Sequence, residues 1–158
     1  MGVICLNYED LLLEADSHGL IVKEKDIPGF NGRIHQNRIA INKDIKTSAE
    51  KACVLAEELG HYYTTYGNII KQDTIEKQKQ EFRARVWGYQ RIITMDKLIA
   101  AYGKGCRNSY EIAEELEVTE EFFLEALQVF KQKYYPYIQY RDYLIRFEPT
   151  LQIYNFAA

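Results

Sequence analysis

Residues 56–67 read AEELGHYYTTYG, and this stretch decides between the possible folds of the chain. Glu57 and His61 are four positions apart, so on a helix they lie one turn apart on the same face. That spacing lets two side chains bind one metal ion. Glu58 is rotated from Glu57 by about 100°, so it lies beside this pair and does not share its face. The stretch therefore predicts either a helix with a metal site or an ordinary amphipathic helix with one histidine.

The stretch matches only part of the zinc peptidase signature His-Glu-x-x-His, because Glu57 stands where that signature has its first histidine. A carboxylate can bind zinc, so the difference is compatible with a metal site. Catalytic zinc takes three protein ligands and keeps one position open, so a third ligand is needed. Glu81, on the next predicted helix, is the candidate. On pattern alone, a solvated helix face with an incidental histidine is the commoner explanation.

The composition is that of an ordinary globular protein, with 47% hydrophobic and 27% charged residues among 158. The net charge of −3 argues against bulk electrostatic binding to nucleic acid, which requires clustered Lys and Arg. Cys5, Cys53 and Cys106 are widely spaced and form no CxxC motif, which predicts reduced thiols in a cytoplasm. The N-terminus lacks the basic region of a secretory signal, and no apolar run approaches the roughly 18 residues of a membrane span.

The segment before this stretch predicts one helix and a small sheet. A first helix should begin after Asn7 and end near Gly19. LIVKEKDIP, residues 20–28, predicts a strand. GRIHQNRIAIN, residues 32–42, predicts a hairpin that turns at Gln36 and Asn37.

Two long helices are expected next. Thr47 begins TSAE, a capping box with Glu50, and the helix should continue to about Tyr66 and end at Gly67. A second helix should begin near Asp73 or Thr74, and Thr94 should cap a shorter helix after it. Small residues at helical spacing on the first of these helices would let a neighbouring helix approach closely: Ala49, Ala52, Cys53, Ala56 and Gly60.

The run GKGCRN, residues 103–108, is the best candidate for a domain boundary. We therefore predict one domain over residues 1–103 and a helical C-terminal extension over residues 104–158. Within the extension, residues 136–149 alternate like a strand.

Two helices of this extension, capped by Ser109 and Thr119, have the spacing of a helix-turn-helix. The second helix opens with Glu120 and Glu121, and Glu125 follows one turn later. A recognition helix presents its N-terminal residues to bases and phosphates, so these acids would repel DNA. We expect a helical cap or a protein-docking surface there, without direct binding of nucleic acid.

Two stretches taken together, LAEELGHYYTTYGNI and KQEFRARVWGYQRII, resemble the ImmA/IrrE family of metallopeptidases of phages and integrative elements. The first helix of that family usually reads like LAHELGH. Its second helix has a glutamate three residues before an alanine, here Glu81 and Ala84, then an aromatic and a small residue, here Trp87 and Gly88. The order of N-terminal helix, small sheet and metal helix also agrees. The resemblance covers roughly residues 1–100.

This resemblance implies an α+β fold, with a minimal zincin-like domain in which a small sheet packs on helices, followed by the helical extension. It implies that His61 and Glu81 are zinc ligands, that Glu57 takes the place of the first ligand, and that Glu58 is the general base. It further implies a cytoplasmic zinc-dependent endopeptidase that acts on a helix-turn-helix repressor and relieves repression. Two carboxylate ligands shift the metal preference toward harder ions such as manganese.

The carboxylate of Glu57 leaves two interpretations open. Either the site is an active variant, or it is degenerate and the protein controls a repressor by docking, without catalysis. A DNA-binding regulator that uses the C-terminal helices is a third possibility, which the acidic residues of the last helix disfavour.

Overall fold

The computed structural model describes residues 6–65 and 74–158. The chain forms two compact units that divide between Ile92 and Ile93. The first contains α1 (Tyr8–Ser17), β1 (Ile21–Lys25), β2 (Gly32–His35), β3 (Arg38–Asn42), α2 (Ser48–Thr64) and α3 (Thr74–Ile92). The second contains α4 (Met95–Gly103), α5 (Ser109–Glu115), α6 (Glu120–Lys133), β4 (Ile138–Tyr140), β5 (Tyr143–Arg146) and β6 (Gln152–Asn155). The domain boundary predicted after residue 103 stays a prediction, and α4 is described with the second unit.

The described elements confirm the predicted α+β class, because helices and two three-stranded sheets occur together, as a small zincin-like domain requires. Among the helices of the described ranges, none combines the length and apolarity needed to cross a bilayer.

The sheet of the first unit has the strand order β1-β3-β2. β2 and β3 form the predicted hairpin, in which His35 pairs with Arg38 and leaves Gln36 and Asn37 as a two-residue turn. Gln36 has a φ of 54°, the left-handed conformation that such turns require. β1 runs parallel to β3, so β2 is an edge strand of this sheet.

The core of the first unit lies between the sheet and the helices. Asn7 caps α1 through a reciprocal capping box with Asp10, as its side chain accepts from the Asp10 N–H at 3.0 Å. Gly19 follows the end of α1 with a φ of 73°, as predicted for a helix-ending glycine. The residues buried in this core are mostly aliphatic: Leu11, Ala15, Leu20, Ile39, Ile41, Leu55, Ala56, Leu59, Ala84 and Ile92.

α2 begins as predicted, since the Thr47 side chain accepts from the Glu50 N–H at 3.1 Å. It ends at Thr64. The helix end predicted at Tyr66 and Gly67 lies outside the described residues.

α2 and α3 approach each other closely at two glycines, as the small-residue pattern predicts. A Cβ atom on Gly60 would lie 2.2 Å from the carbonyl oxygen of Ala84, and one on Gly88 would lie 3.3 Å from the carbonyl of Ala56. Any side chain at Gly60 would therefore overlap the α3 backbone. This contact sets the separation of the two helices at the position where Glu57, His61 and Glu81 lie.

The second unit differs from the prediction in the residue that caps one of its helices. Thr94 and Thr119 cap α4 and α6 as expected. The cap of α5 is Asn108 and not Ser109, because the Asn108 side chain accepts from the Glu111 N–H at 2.9 Å. The Ser109 hydroxyl instead donates to Glu120 at 2.6 Å. The strand-like alternation near the C-terminus is confirmed, since β4, β5 and β6 form an antiparallel sheet beside the helices.

Candidate metal centre

The structure brings the three predicted ligand residues together between α2 and α3. Glu57 and His61 lie one turn apart on α2, and Glu81 lies on α3. One potential ligand atom from each residue lies within 4.8 Å of the other two. His61 Nε2 and Glu81 Oε2 are 3.3 Å apart.

These distances fit a small divalent cation. Bonds of about 2.0–2.2 Å in a tetrahedral zinc site place neighbouring ligand atoms about 3.3–3.6 Å apart. The His61–Glu81 distance lies in that range, and the potential ligand atom of Glu57 lies within 4.8 Å of both. The Glu81 side chain is 41% exposed, so a water molecule or a substrate group can reach the cluster. The donor set and its open side therefore suit a metal ion, and the ligand roles of the three residues stay a prediction.

Glu58 lies beside this cluster in a different environment. It is only 8% exposed, whereas most of the charged side chains of the chain are in contact with water. Burial, reinforced by the negative charges of Glu57 and Glu81, raises the pKa of Glu58 to about 7. A hydrogen bond from the Ile34 backbone and the positive charge of Arg33 lower the pKa of Glu58, but by less. Glu58 can therefore hold or release a proton near neutral pH.

The hydrogen bond to Ile34 places Glu58 along the outer edge of β2. The Asn42 N–H donates to the carbonyl of Asn31 at 2.8 Å, so residues 31 and 42 form a hydrogen-bonded pair of the antiparallel ladder. The alternation of that ladder turns the backbone groups of Gly32 and Ile34 away from β3. The Ile34 N–H thus points to Glu58, and its carbonyl faces the same side.

Gly32 explains how β2 can lie so close to Glu58. A Cβ atom at Gly32 would lie 2.7 Å from Glu58 Oε1 and 2.6 Å from Val54 Cγ1. A larger residue would therefore displace the carboxylate or the strand. Sequence reasoning missed Gly32 and Ile34, and the one available signal was a glycine that opens a predicted strand.

His35 does not join the cluster and is exposed on the edge strand β2. Tyr63 packs among rings, with its centroid 4.8 Å from that of Trp87 and 5.4 Å from that of His18. Its buried hydroxyl has no hydrogen-bond partner within the described part of the chain. Packing is thus the role of Tyr63, and Tyr62 is 40% exposed beside it.

Comparison with known proteins identifies one family. The model of the Peptidase_M78 family, described as the IrrE N-terminal-like domain, matches residues 4–128, which is more than half of the chain. Neither the curated proteins nor the solved structures contain a match to the chain.

Proposed function

The chain belongs to the Peptidase_M78 family of IrrE N-terminal-like metallopeptidases, and we propose that it is a zinc-dependent endopeptidase whose metal is held by Glu57, His61 and Glu81. The observation that carries the proposal is the convergence of these three side chains, with ligand atoms within 4.8 Å of one another. Manganese is a possible substitute for zinc, because two of the three donors are carboxylates.

A divalent ion in this cluster would supply Lewis acidity to a peptide carbonyl and to a water molecule. Glu58 is then the proton carrier. Burial is the largest cause of its raised pKa and does not depend on the ion, so this carboxylate accepts a proton more readily than an ordinary glutamate and can then return it. Its burial keeps bulk water away from the proton that it holds, and the Ile34 N–H fixes the orientation of its carboxylate.

The substrate is an extended segment that adds to the outer edge of β2. The carbonyl of Ile34 points to that side and accepts a hydrogen bond from the added strand, as in other cases of strand addition. A segment bound in this way passes Glu58 with its ends free, which suits cleavage within a chain. This geometry supports an endopeptidase more than an enzyme that binds a chain terminus.

The resemblance to the ImmA/IrrE family supports a specific substrate, a helix-turn-helix repressor of a phage or other mobile element. Cleavage would relieve repression, and it would take place in the cytoplasm. The acidic start of α6, with Glu120 and Glu121 in its first turn, disfavours direct binding of the chain to DNA.

The proposal is tested by metal analysis and by a cleavage assay on a helix-turn-helix repressor. Purified protein should carry close to one zinc or manganese ion per chain. Glu58→Gln should retain the metal and lose cleavage, since the amide cannot accept the proton. Glu50→Gln, a matched change in the first turn of α2 and outside the cluster, should cleave normally. A metal-free protein, or cleavage by Glu58→Gln at the normal rate, would refute the peptidase proposal.

The second candidate function is repressor control by docking without catalysis. Glu57 favours it, because a carboxylate in place of the first histidine weakens the Lewis acidity of the metal. In that case Glu58→Gln would relieve repression as well as the wild type, and the repressor would stay intact while bound.

A further inference from the structure

The outer face of the first sheet, opposite to the buried Ile41, bears a cavity of about 280 Å³. Strand alternation puts Ala40 of β3 on this face, and the register pairs Ala40 with Lys23 of β1 and Arg33 of β2. Residues two positions before or after these on each strand lie on the same face of the sheet. Five basic residues therefore surround the cavity: Lys23, Lys25, Arg33, Arg38 and His35.

Most of the positive charge of this cavity has no ion-pair partner among the described residues, although the charge of Arg33 acts on Glu58. Among the described residues, none of those that line the cavity is acidic. In the ranges 6–65 and 74–158, none of the recorded ion pairs involves its two lysines or two arginines. The acids of β1 and the next loop are engaged elsewhere, since Glu24 pairs with Lys51 at 2.8 Å and Asp26 with Lys43 at 3.7 Å. The net charge of the chain is −3, whereas these four cations together contribute +4. The cavity is therefore a positively charged region on a protein of negative net charge.

The floor of the cavity is apolar. Ile21, Ile27 and Ala40 contribute to its lining, and Ile21 is 45% exposed. A ligand that combines several negative charges with a flat or apolar group would use both the rim and the floor. Arginine and lysine together suit phosphate groups, arginine through paired hydrogen bonds and lysine as a point charge.

The size of the cavity separates two kinds of anionic ligand. The open space of about 280 Å³ would be about 8 Å across as a sphere, and the cations around it reach further. Arg38 pairs with Ile21 and Lys25 pairs with Asn42, so these two cations are four residues, or about 13 Å, apart along the strands. An extended acidic peptide presents carboxylates on one face at every second residue, about 6.6 Å apart, so it places about two charges in the open space. A chain of phosphates concentrates more charge in the same space, and four cations are matched better by phosphates.

We propose that this face of the sheet is a binding site for a nucleoside triphosphate or a closely related ligand, with its phosphates on Lys23, Lys25, Arg33 and Arg38 and its base on the isoleucine floor. The site is separate from the Glu57–His61–Glu81 cluster and does not depend on the peptidase proposal.

The test is calorimetric titration with ATP and with inorganic tripolyphosphate at low salt. The wild type should bind both, and ATP more tightly because of the apolar floor. The double variant Lys23→Gln/Arg38→Gln should bind ATP at least tenfold more weakly. Lys46→Gln, which removes an exposed lysine outside the cavity, should bind within twofold of the wild type. Both variants alter exposed side chains, and their thermal melting should match that of the wild type.

Several results would overturn the assignment. These are undetectable binding of ATP to the wild type, equal binding by the double variant, and tighter binding of hexaglutamate or a single-stranded oligonucleotide than of ATP. Equal affinities for ATP and tripolyphosphate would overturn the role of the isoleucine floor.

Discussion

Gly60→Ala should destabilise the first unit by forcing α2 and α3 apart. The added Cβ would lie 2.2 Å from the Ala84 carbonyl oxygen, and backbone cannot rotate away as a side chain can. An ordinary contact is about 3.5 Å, so α3 has to move by about 1 Å. Overpacking of this kind costs about 3 kcal/mol at the upper end of its usual range. The better helix propensity of alanine returns about 1 kcal/mol, so we expect a net loss of about 2 kcal/mol.

The assay is urea unfolding followed by tryptophan fluorescence, because the chain has one tryptophan, Trp87, and it lies on α3. Gly88→Ala is the matched control. Its Cβ would lie 3.3 Å from Ala56, a contact that a shift of a few tenths of an ångström relieves, so its free energy of unfolding should stay within about 1 kcal/mol of the wild type. Gly60→Ala should also bind zinc more weakly, because the His61–Glu81 distance of 3.3 Å widens. An unfolding midpoint for Gly60→Ala at or above that of Gly88→Ala would refute the close approach of the helices.

Three further predictions concern the candidate site. His61→Gln should lose at least 90% of the bound zinc by mass spectrometry of metals, because it removes the one nitrogen donor of the cluster, and full retention would contradict ligation. Gly32→Ala should lower kcat at least tenfold and keep the metal, since its Cβ would lie 2.7 Å from Glu58 Oε1; an unchanged kcat would count against Glu58 as the base. When a chelator has removed the metal, the free energy of unfolding of the wild type should fall as the pH rises from about 4.5 through about 7. The reason is that the folded state keeps the Glu58 proton in this range, whereas the unfolded state releases it. Glu58→Gln should therefore exceed the wild type by up to about 3 kcal/mol at pH 8 and match it at pH 4, and equal stability of the two proteins at pH 8 would contradict the raised pKa.

Local signals in the sequence predicted those elements whose causes are local. The caps at Thr47 and Thr94 follow from side chains that satisfy N–H groups three residues ahead. The hairpin follows from a two-residue turn between alternating isoleucines. Glu81 was a candidate because it lies on the next predicted helix, the small-residue pattern indicated a close helix neighbour, and the family resemblance supported the pairing with His61.

The features that sequence reasoning missed depend on tertiary contacts. Asn108 and Ser109 are both good caps, and the hydrogen bond from Ser109 to Glu120, eleven residues away, decides between them. The parallel pairing of β1 with β3 leaves β2 at the sheet edge, and only that topology brings Gly32 and Ile34 to Glu58. The basic cavity likewise needs the register of all three strands, because its cations come from each of them.

The most direct test of the metal site is a crystal structure of the protein grown with zinc, with anomalous data collected at the zinc edge. We predict one strong peak with Glu57, His61 and Glu81 each contributing an atom at about 2.0–2.2 Å, and Glu58 beside the ion without binding it. A peak elsewhere on the chain, or an ion bound without Glu57, would contradict the three-residue site.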